Sequence, residues 1–188
     1  MDALTVWMVR HGPTHAKCLV GWTDLDADLS DRARVARLDA YLPRGLPIIS
    51  SDLRRAVQTA DALDAGRQRL PHDPGLREIG FGDWEMLRHD EIPDQALARR
   101  YWEQPGDIAP PGGESWNNLS ARVSATLTRL APQGDVIVVA HFGAILCQLQ
   151  AVLGLTPVEA FARRIEPLSV TRLRLGPAPR AFVVNHQP

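Results

Sequence analysis

Apolar positions along this chain fall into short unbroken runs, separated by longer stretches in which they recur every three or four residues. The run LTVWMVR (residues 4–10) shows little polar alternation, the pattern of a strand covered on both faces. PIIS (47–50) and DVIVVAH (135–141) repeat that pattern, whereas VTRLRL (170–175) and AFVVNH (181–186) alternate and read as edge strands. Between them, helical spacing predicts helices over 30–42, 53–63, 115–130 and 144–153. Strands alternating with helices predict an α/β protein with crossover connections, a three-layer α/β/α sandwich around a mostly parallel central sheet. Residues 83–111 break the rhythm with Trp, Tyr and charged residues before APPGGES, which predicts a short helical insertion over the sheet. A chain of 188 residues is long enough to bury one sizeable core without disulfides or a structural metal, so residues 1–188 are expected to form a single domain.

In open α/β sheets ligands bind beyond the carboxyl ends of the strands, so the residues that end each run carry weight. Three predicted strands end in polar sets: Arg10-His11-Gly12, Ser50-Ser51-Asp52 leading into Arg54-Arg55, and His141-Phe142-Gly143. Each has a structural explanation by itself. A strand-end histidine is usually a hydrogen-bonded structural residue, and Ser51 or Asp52 offers an N-cap oxygen to the helix that follows. Cations in a helix's first turn nevertheless oppose its macrodipole, and a bound anion relieves that opposition. Helix amides together with a guanidinium fork make a phosphate site. LREIGFGDWEM (76–86) adds two carboxylates. For Glu78 the apolar setting is expected to raise the pKa toward neutrality, as a general acid needs; Glu85 reads as a solvated loop glutamate.

Composition narrows the field. The formal net charge is -1 and no long single-sign run is present, which argues against nucleic acid or an anionic membrane as partner. Arginine supplies nearly all the positive charge, since Lys17 is the sole lysine. Cys18 and Cys147 match neither a disulfide framework nor a zinc spacing, and no carboxylate cluster has metal-ligand spacing, so neither metal nor cofactor is expected. With no signal-peptide pattern and no apolar run of membrane-spanning length, the expectation is a soluble cytoplasmic protein, monomer or homodimer.

Taken in order, Arg10-His11-Gly12, Thr14, Gly21-Trp22, SSDLRRAVQTA (50–60), LREIGFGDWE (76–85), GGES (112–115) and AHFGA (140–144) resemble the histidine phosphatase superfamily, whose members include cofactor-dependent phosphoglycerate mutase. Within it, FGDWEM followed by RHDEI resembles the α-ribazole phosphatase branch, which removes the 5'-phosphate of α-ribazole phosphate in cobalamin assembly. The resemblance implies a phosphatase acting on a small-molecule phosphate monoester, with the insertion over the active site. His11 would be the nucleophile that forms a phosphohistidine; Arg10, Arg55 and His141 would bind the phosphoryl group; Glu78 would protonate the leaving alkoxide. Arg54 stays outside the site. Thr14, Lys17, Gly21, Trp22 and Thr23 complete the implied phosphate-binding set.

One position departs from the family pattern. An asparagine usually lies six residues after the nucleophilic histidine, and this chain has Lys17 there, either adding a point charge to the pocket or turning outward. For the substrate, Phe81, Trp84, Tyr101, Trp102 and Trp116 either form a wall on which a flat base stacks or cement the insertion to the core. Asp83, Glu85, Asp90, Glu91 and Asp94 in or near the insertion are expected to repel a second acidic group on the substrate. The alternatives are a broad-specificity phosphatase, a mutase-like enzyme, or an inactive member that binds a phosphorylated ligand.

Overall fold

The computed structural model describes residues 3–188. Strands β1 (Leu4–Arg10), β2 (Ile48–Ser50), β3 (Val136–Ala140), β4 (Val170–Leu175) and β5 (Arg180–His186) form one sheet in the order β2-β3-β1-β4-β5. β1 and β2 both pair with β3 in parallel, whereas β4 runs antiparallel to β1 and to β5. The sheet is therefore mixed, with β4 the reversed strand. β5 is an edge, as its alternation predicts, but β4 lies inside the sheet between β1 and β5. Its polar positions are accommodated because Arg174 is exposed and the Arg172 guanidinium stacks over Trp7 and Phe182, at 4.8 and 4.6 Å from the ring centroids.

Alternation along the central strands divides the core into two layers. Val136, Val138 and Ala140 of β3 join one cluster, while Ile137 and Val139 join the other. Helices α1 (Arg32–Tyr41) and α2 (Arg54–Ala62) cover the second face through Val35, Leu38, Ala56 and Ala60. Helices α4 (Trp116–Leu130) and α5 (Phe142–Leu153) cover the first, joined there by the short α6 (Pro157–Phe161). That is the α/β/α sandwich. Full burial of a Val or Ile side chain is worth roughly 1.5–3 kcal/mol, so β3, buried on both faces, tolerates a charge on neither.

The 83–111 segment contributes 3₁₀ turns at Gly82–Trp84 and His89–Glu91 and helix α3 (Gln95–Glu103). Its aromatic residues are cement. Phe81, Trp84, Tyr101 and Trp116 are each no more than 6 % exposed, and Tyr101 meets Phe81, Trp84 and Trp102 edge-on at 4.8–6.5 Å. Phe161 of α6 closes the cluster against Trp102 and Trp116. No helix among the described residues is long and apolar enough to cross a membrane.

Candidate active site

Because β1 and β3 are adjacent, parallel and in register at Arg10 and Ala140, the residues after them emerge side by side. His11 and His141 face each other with ring centroids 5.0 Å apart. β2, on the other side of β3, ends in Ser50 and hands the chain to α2, whose first turn holds Arg54 and Arg55. Neither Ser51 nor Asp52 supplies the expected side-chain cap: Leu53 is the N-cap and has none. Ser51 Oγ lies 2.7 Å from His141 Nε2, and Asp52 forms a bidentate pair with Arg77 at 2.5 and 2.7 Å.

Two contacts determine the state of His11. Its Nδ1 is 2.6 Å from the Gly12 carbonyl oxygen, which only accepts; its Nε2 is 3.3 Å from Arg55 Nε, which only donates. Together they select the neutral ring with the proton on Nδ1 and a bare Nε2. Burial, reinforced by the charges of Arg55 and Arg10, pushes the His11 pKa down to about 3, so the ring is neutral at physiological pH. Glycine at position 12 leaves room for Leu29: a Cβ there would meet Leu29 Cδ2 at 2.6 Å.

Arg55 is buried, and two further donors go to the carbonyl oxygens of Gly21 (2.6 Å) and Thr23 (2.9 Å). Arg54 points outward to Asp24 and Asp26, as expected. Arg10 donates to the Ile165 carbonyl at 2.6 Å, lies over the Phe142 ring at 5.3 Å, and keeps a buried Nε without a partner. Two guanidiniums thus flank a neutral imidazole, an arrangement suited to an anion.

Glu78 closes the other side. Its carboxylate accepts from the Ile79 amide at 2.9 Å and the Gly143 amide at 3.0 and 3.2 Å, the latter in the first turn of α5. Gly143 is required, since a Cβ would come within 2.5 Å of Glu78 Oε1. Burial raises the Glu78 pKa against the lowering effect of those amides and of Arg55 and Arg10, as its apolar neighbours led us to expect.

Glu85, in contrast, is no solvated loop residue. Its two oxygens accept from the amides of Gly21, Trp22, Thr23 and Phe81 at 2.8–3.2 Å and from Thr23 Oγ1 at 2.7 Å. These contacts redefine Gly21, Trp22 and Thr23. Their amides serve Glu85, the carbonyls of Gly21 and Thr23 aim Arg55, and the Trp22 indole donates to the Glu78 carbonyl at 2.9 Å. Of the other expected positions, Thr14 is half-buried in the loop after β1, and Lys17 is exposed and turned to solvent.

Sequence reasoning passed over three supports. Thr59 Oγ accepts from the Gly12 amide at 2.9 Å. Arg122 pairs with both oxygens of Glu114 at 2.6 and 2.8 Å and donates to the Glu78 carbonyl at 3.1 Å. Glu114 in turn accepts from the Gly80 amide at 3.0 Å, which accounts for part of GGES. Of the acidic residues expected to repel a substrate, Asp90 and Glu91 pair with Arg88 and Asp94 caps α3. Among the described residues, no group of three or more His, Cys, Asp or Glu side chains is placed to hold a metal ion.

A neutral imidazole, the buried Arg55 and half-buried Arg10 guanidiniums and a carboxyl of raised pKa gather at one end of the α/β sheet, a crevice suited to a phosphoryl group. Residues 6–185 match the histidine phosphatase superfamily (branch 1), and the chain belongs to that family of phosphatases. It is 38 % identical over 171 residues to the glucosyl-3-phosphoglycerate phosphatase of Mycolicibacterium vanbaalenii, covering 81 % of this chain and 75 % of that one. The adenosylcobalamin/alpha-ribazole phosphatase of Escherichia coli is 29 % identical over 170 residues, covering 84 % and 82 %. Among solved structures, a mycobacterial glucosyl-3-phosphoglycerate phosphatase superposes with a TM-score of 0.82 at 30 % identity, covering 98 % of this chain and 100 % of that one. A Bacillus stearothermophilus protein, YhfR, reaches 0.87 at 24 % identity, with 97 % of both chains covered, a likeness of fold.

Proposed function

We propose that this chain hydrolyses a small phosphate monoester in two steps through a phosphohistidine at His11. The observation that carries the reading is the bare Nε2 of a neutral His11 set against the Arg55 guanidinium. In the first step Nε2 attacks phosphorus, the P–N bond forms, the P–O bond to the leaving group breaks, and Glu78 gives its proton to the departing alkoxide. In the second, ionised Glu78 takes a proton from water as the water attacks phosphorus; the P–N bond breaks, phosphate leaves, and Glu78 is again protonated. Arg10, Arg55 and His141 meet the equatorial oxygens as charge moves in the transition state.

The substrate reading is a sugar-bearing phosphate monoester of the kind named for the mycobacterial relatives, glucosyl-3-phosphoglycerate. It is supported by the higher identity to those proteins and by the local pairing of Asp90, Glu91 and Asp94, which would otherwise oppose a carboxylate. α-Ribazole 5'-phosphate is the second reading, supported by FGDWEM, RHDEI and the Escherichia coli relative. Its aromatic platform has weakened: the rings pack on one another and leave a cavity of about 60 Å³ beside Glu78, too small for a fused bicyclic base.

His11→Ala is expected to lower kcat by 10⁴-fold or more, on the order of other lost nucleophiles, with the circular dichroism spectrum unchanged. Full activity in that variant refutes the phosphohistidine. Phosphate release from the two named substrates, 3-phosphoglycerate and p-nitrophenyl phosphate then ranks them by kcat/KM. A hundredfold preference, about 2.7 kcal/mol of differential transition-state binding, identifies a specialist, and equal values identify a broad phosphatase.

A further inference from the structure

Ser51 is fully buried behind the two histidines, with its amide bonded to the Val139 carbonyl at 3.2 Å. Its hydroxyl has two neighbours. One is His141 Nε2 at 2.7 Å, and the other is the Leu53 amide, which donates to Oγ across a long 3.4 Å. His141 is itself fully buried, and its other ring nitrogen, Nδ1, has no partner at all. A buried ring nitrogen without a hydrogen bond costs stability, and such exceptions in a native fold call for a reason.

A neutral imidazole carries one proton, on Nδ1 or on Nε2, and the hydrogen bond made by one nitrogen decides the other. His141 is neutral, because burial holds its pKa well below the ordinary histidine value and His11, Arg55, Arg10 and Arg122 push the same way. A phosphoryl oxygen only accepts hydrogen bonds, so a bare nitrogen facing it is repelled and an N–H is attracted. The ring that carries the unpartnered Nδ1 stands 5.0 Å from the His11 ring, centroid to centroid.

We propose that Ser51 is a positioning residue that sets the tautomer of His141: its hydroxyl donates to Nε2, so that the proton resides on Nδ1 and is presented to a phosphoryl oxygen. The Leu53 amide supports this direction, since Oγ that accepts from Leu53 is free to turn its own hydrogen toward His141. Nδ1–H has no acceptor within the protein, and the transferring group supplies one. Ser51 touches no substrate and acts through the ring it orients.

The inference rests on the phosphohistidine reading, and its tests separate the two. The first uses the wild-type protein: ¹⁵N NMR of the His141 ring at neutral pH is expected to show a protonated Nδ1 and a bare Nε2. A protonated Nε2 overturns the proposal. The second compares Ser51→Ala with Ser51→Thr, each checked for an unchanged circular dichroism spectrum. Ser51→Ala is expected to lose about a hundredfold in kcat, the scale of one lost transition-state donor, while KM moves by less than about threefold. Ser51→Thr, which keeps the hydroxyl, is expected to restore kcat to within about tenfold. Should Ser51→Ala retain wild-type kcat while His11→Ala is dead, the tautomer proposal fails and the mechanism stands; an active His11→Ala removes the mechanism itself.

Discussion

Glu78 and Glu85 stand in one segment, both withdrawn from solvent, and their electrostatics are opposite. Burial raises the Glu78 pKa, and the amides of Ile79 and Gly143 do not overcome it. Burial also pushes Glu85 upward, but hydrogen bonds from Thr23, Trp22, Phe81 and Gly21 outweigh it and leave a depressed pKa. The number of donors decides the difference. Five N–H and O–H partners favour the ionised form of a carboxyl, whereas burial in an apolar wall with only two amides raises its affinity for a proton. One region of the crevice therefore favours holding a proton, and the neighbouring region a fixed negative charge.

The largest effect expected from this contrast is that of Glu78→Gln, which removes the proton donor and lowers kcat by about 10²–10⁴-fold on alkyl phosphates. The loss is expected to be smaller on p-nitrophenyl phosphate, whose leaving group departs without a proton; an equal loss on both substrates contradicts the general-acid role. The raised pKa also sets a pH dependence. In the wild type, kcat/KM on alkyl phosphates reports the first phosphoryl transfer and falls as pH rises through the Glu78 pKa, and the glutamine variant lacks that limb. Stability follows the same sign. A raised folded-state pKa contributes stability that is present at low pH and lost as pH rises through it, so Glu78→Gln gains in Tm relative to wild type as pH rises from the ordinary carboxyl range through the raised Glu78 pKa.

Glu85→Gln tests the other region and is expected to be milder. An amide cannot accept from all five donors, so the Gly21–Thr23 carbonyls that aim Arg55 loosen and kcat falls about tenfold. Here the folded-state pKa is depressed. Its contribution is present above the unfolded value, about 4.3, and is lost as pH falls through the folded one, so the Tm deficit of the variant narrows under acid. A deficit that widens under acid breaks the contrast. Smallest of all, Lys17→Asn restores the family residue at an exposed position and is expected to leave hydrolysis within about tenfold of wild type. A complete loss would show the lysine acting inside the pocket.

Much of the fold was legible in the residue pattern. β1 matches its predicted limits, and the four long helices lie within one or two residues of theirs at most ends, because apolar periodicity and burial have the same cause. His11, Arg55, Glu78 and His141 were also legible, each standing at a strand end, a helix start or in an apolar segment. β4 was misplaced because polar alternation marks a solvated face, whereas its Arg172 stacks on aromatic rings contributed by other strands. Glu85 was misjudged for a related reason: its partners come from residues 21–23, a loop more than sixty positions earlier.

Local pattern and residue chemistry established that strands would end in an imidazole and guanidiniums, since periodicity and functional groups are properties of neighbouring residues. Folding in three dimensions was needed to choose which nitrogen of His11 is bare, to leave Nδ1 of His141 unpaired, and to raise the proton affinity of Glu78 while lowering that of Glu85. Those outcomes depend on hydrogen-bond donors and desolvation delivered by distant segments, and a side chain's proton affinity is the sum of what surrounds it in space.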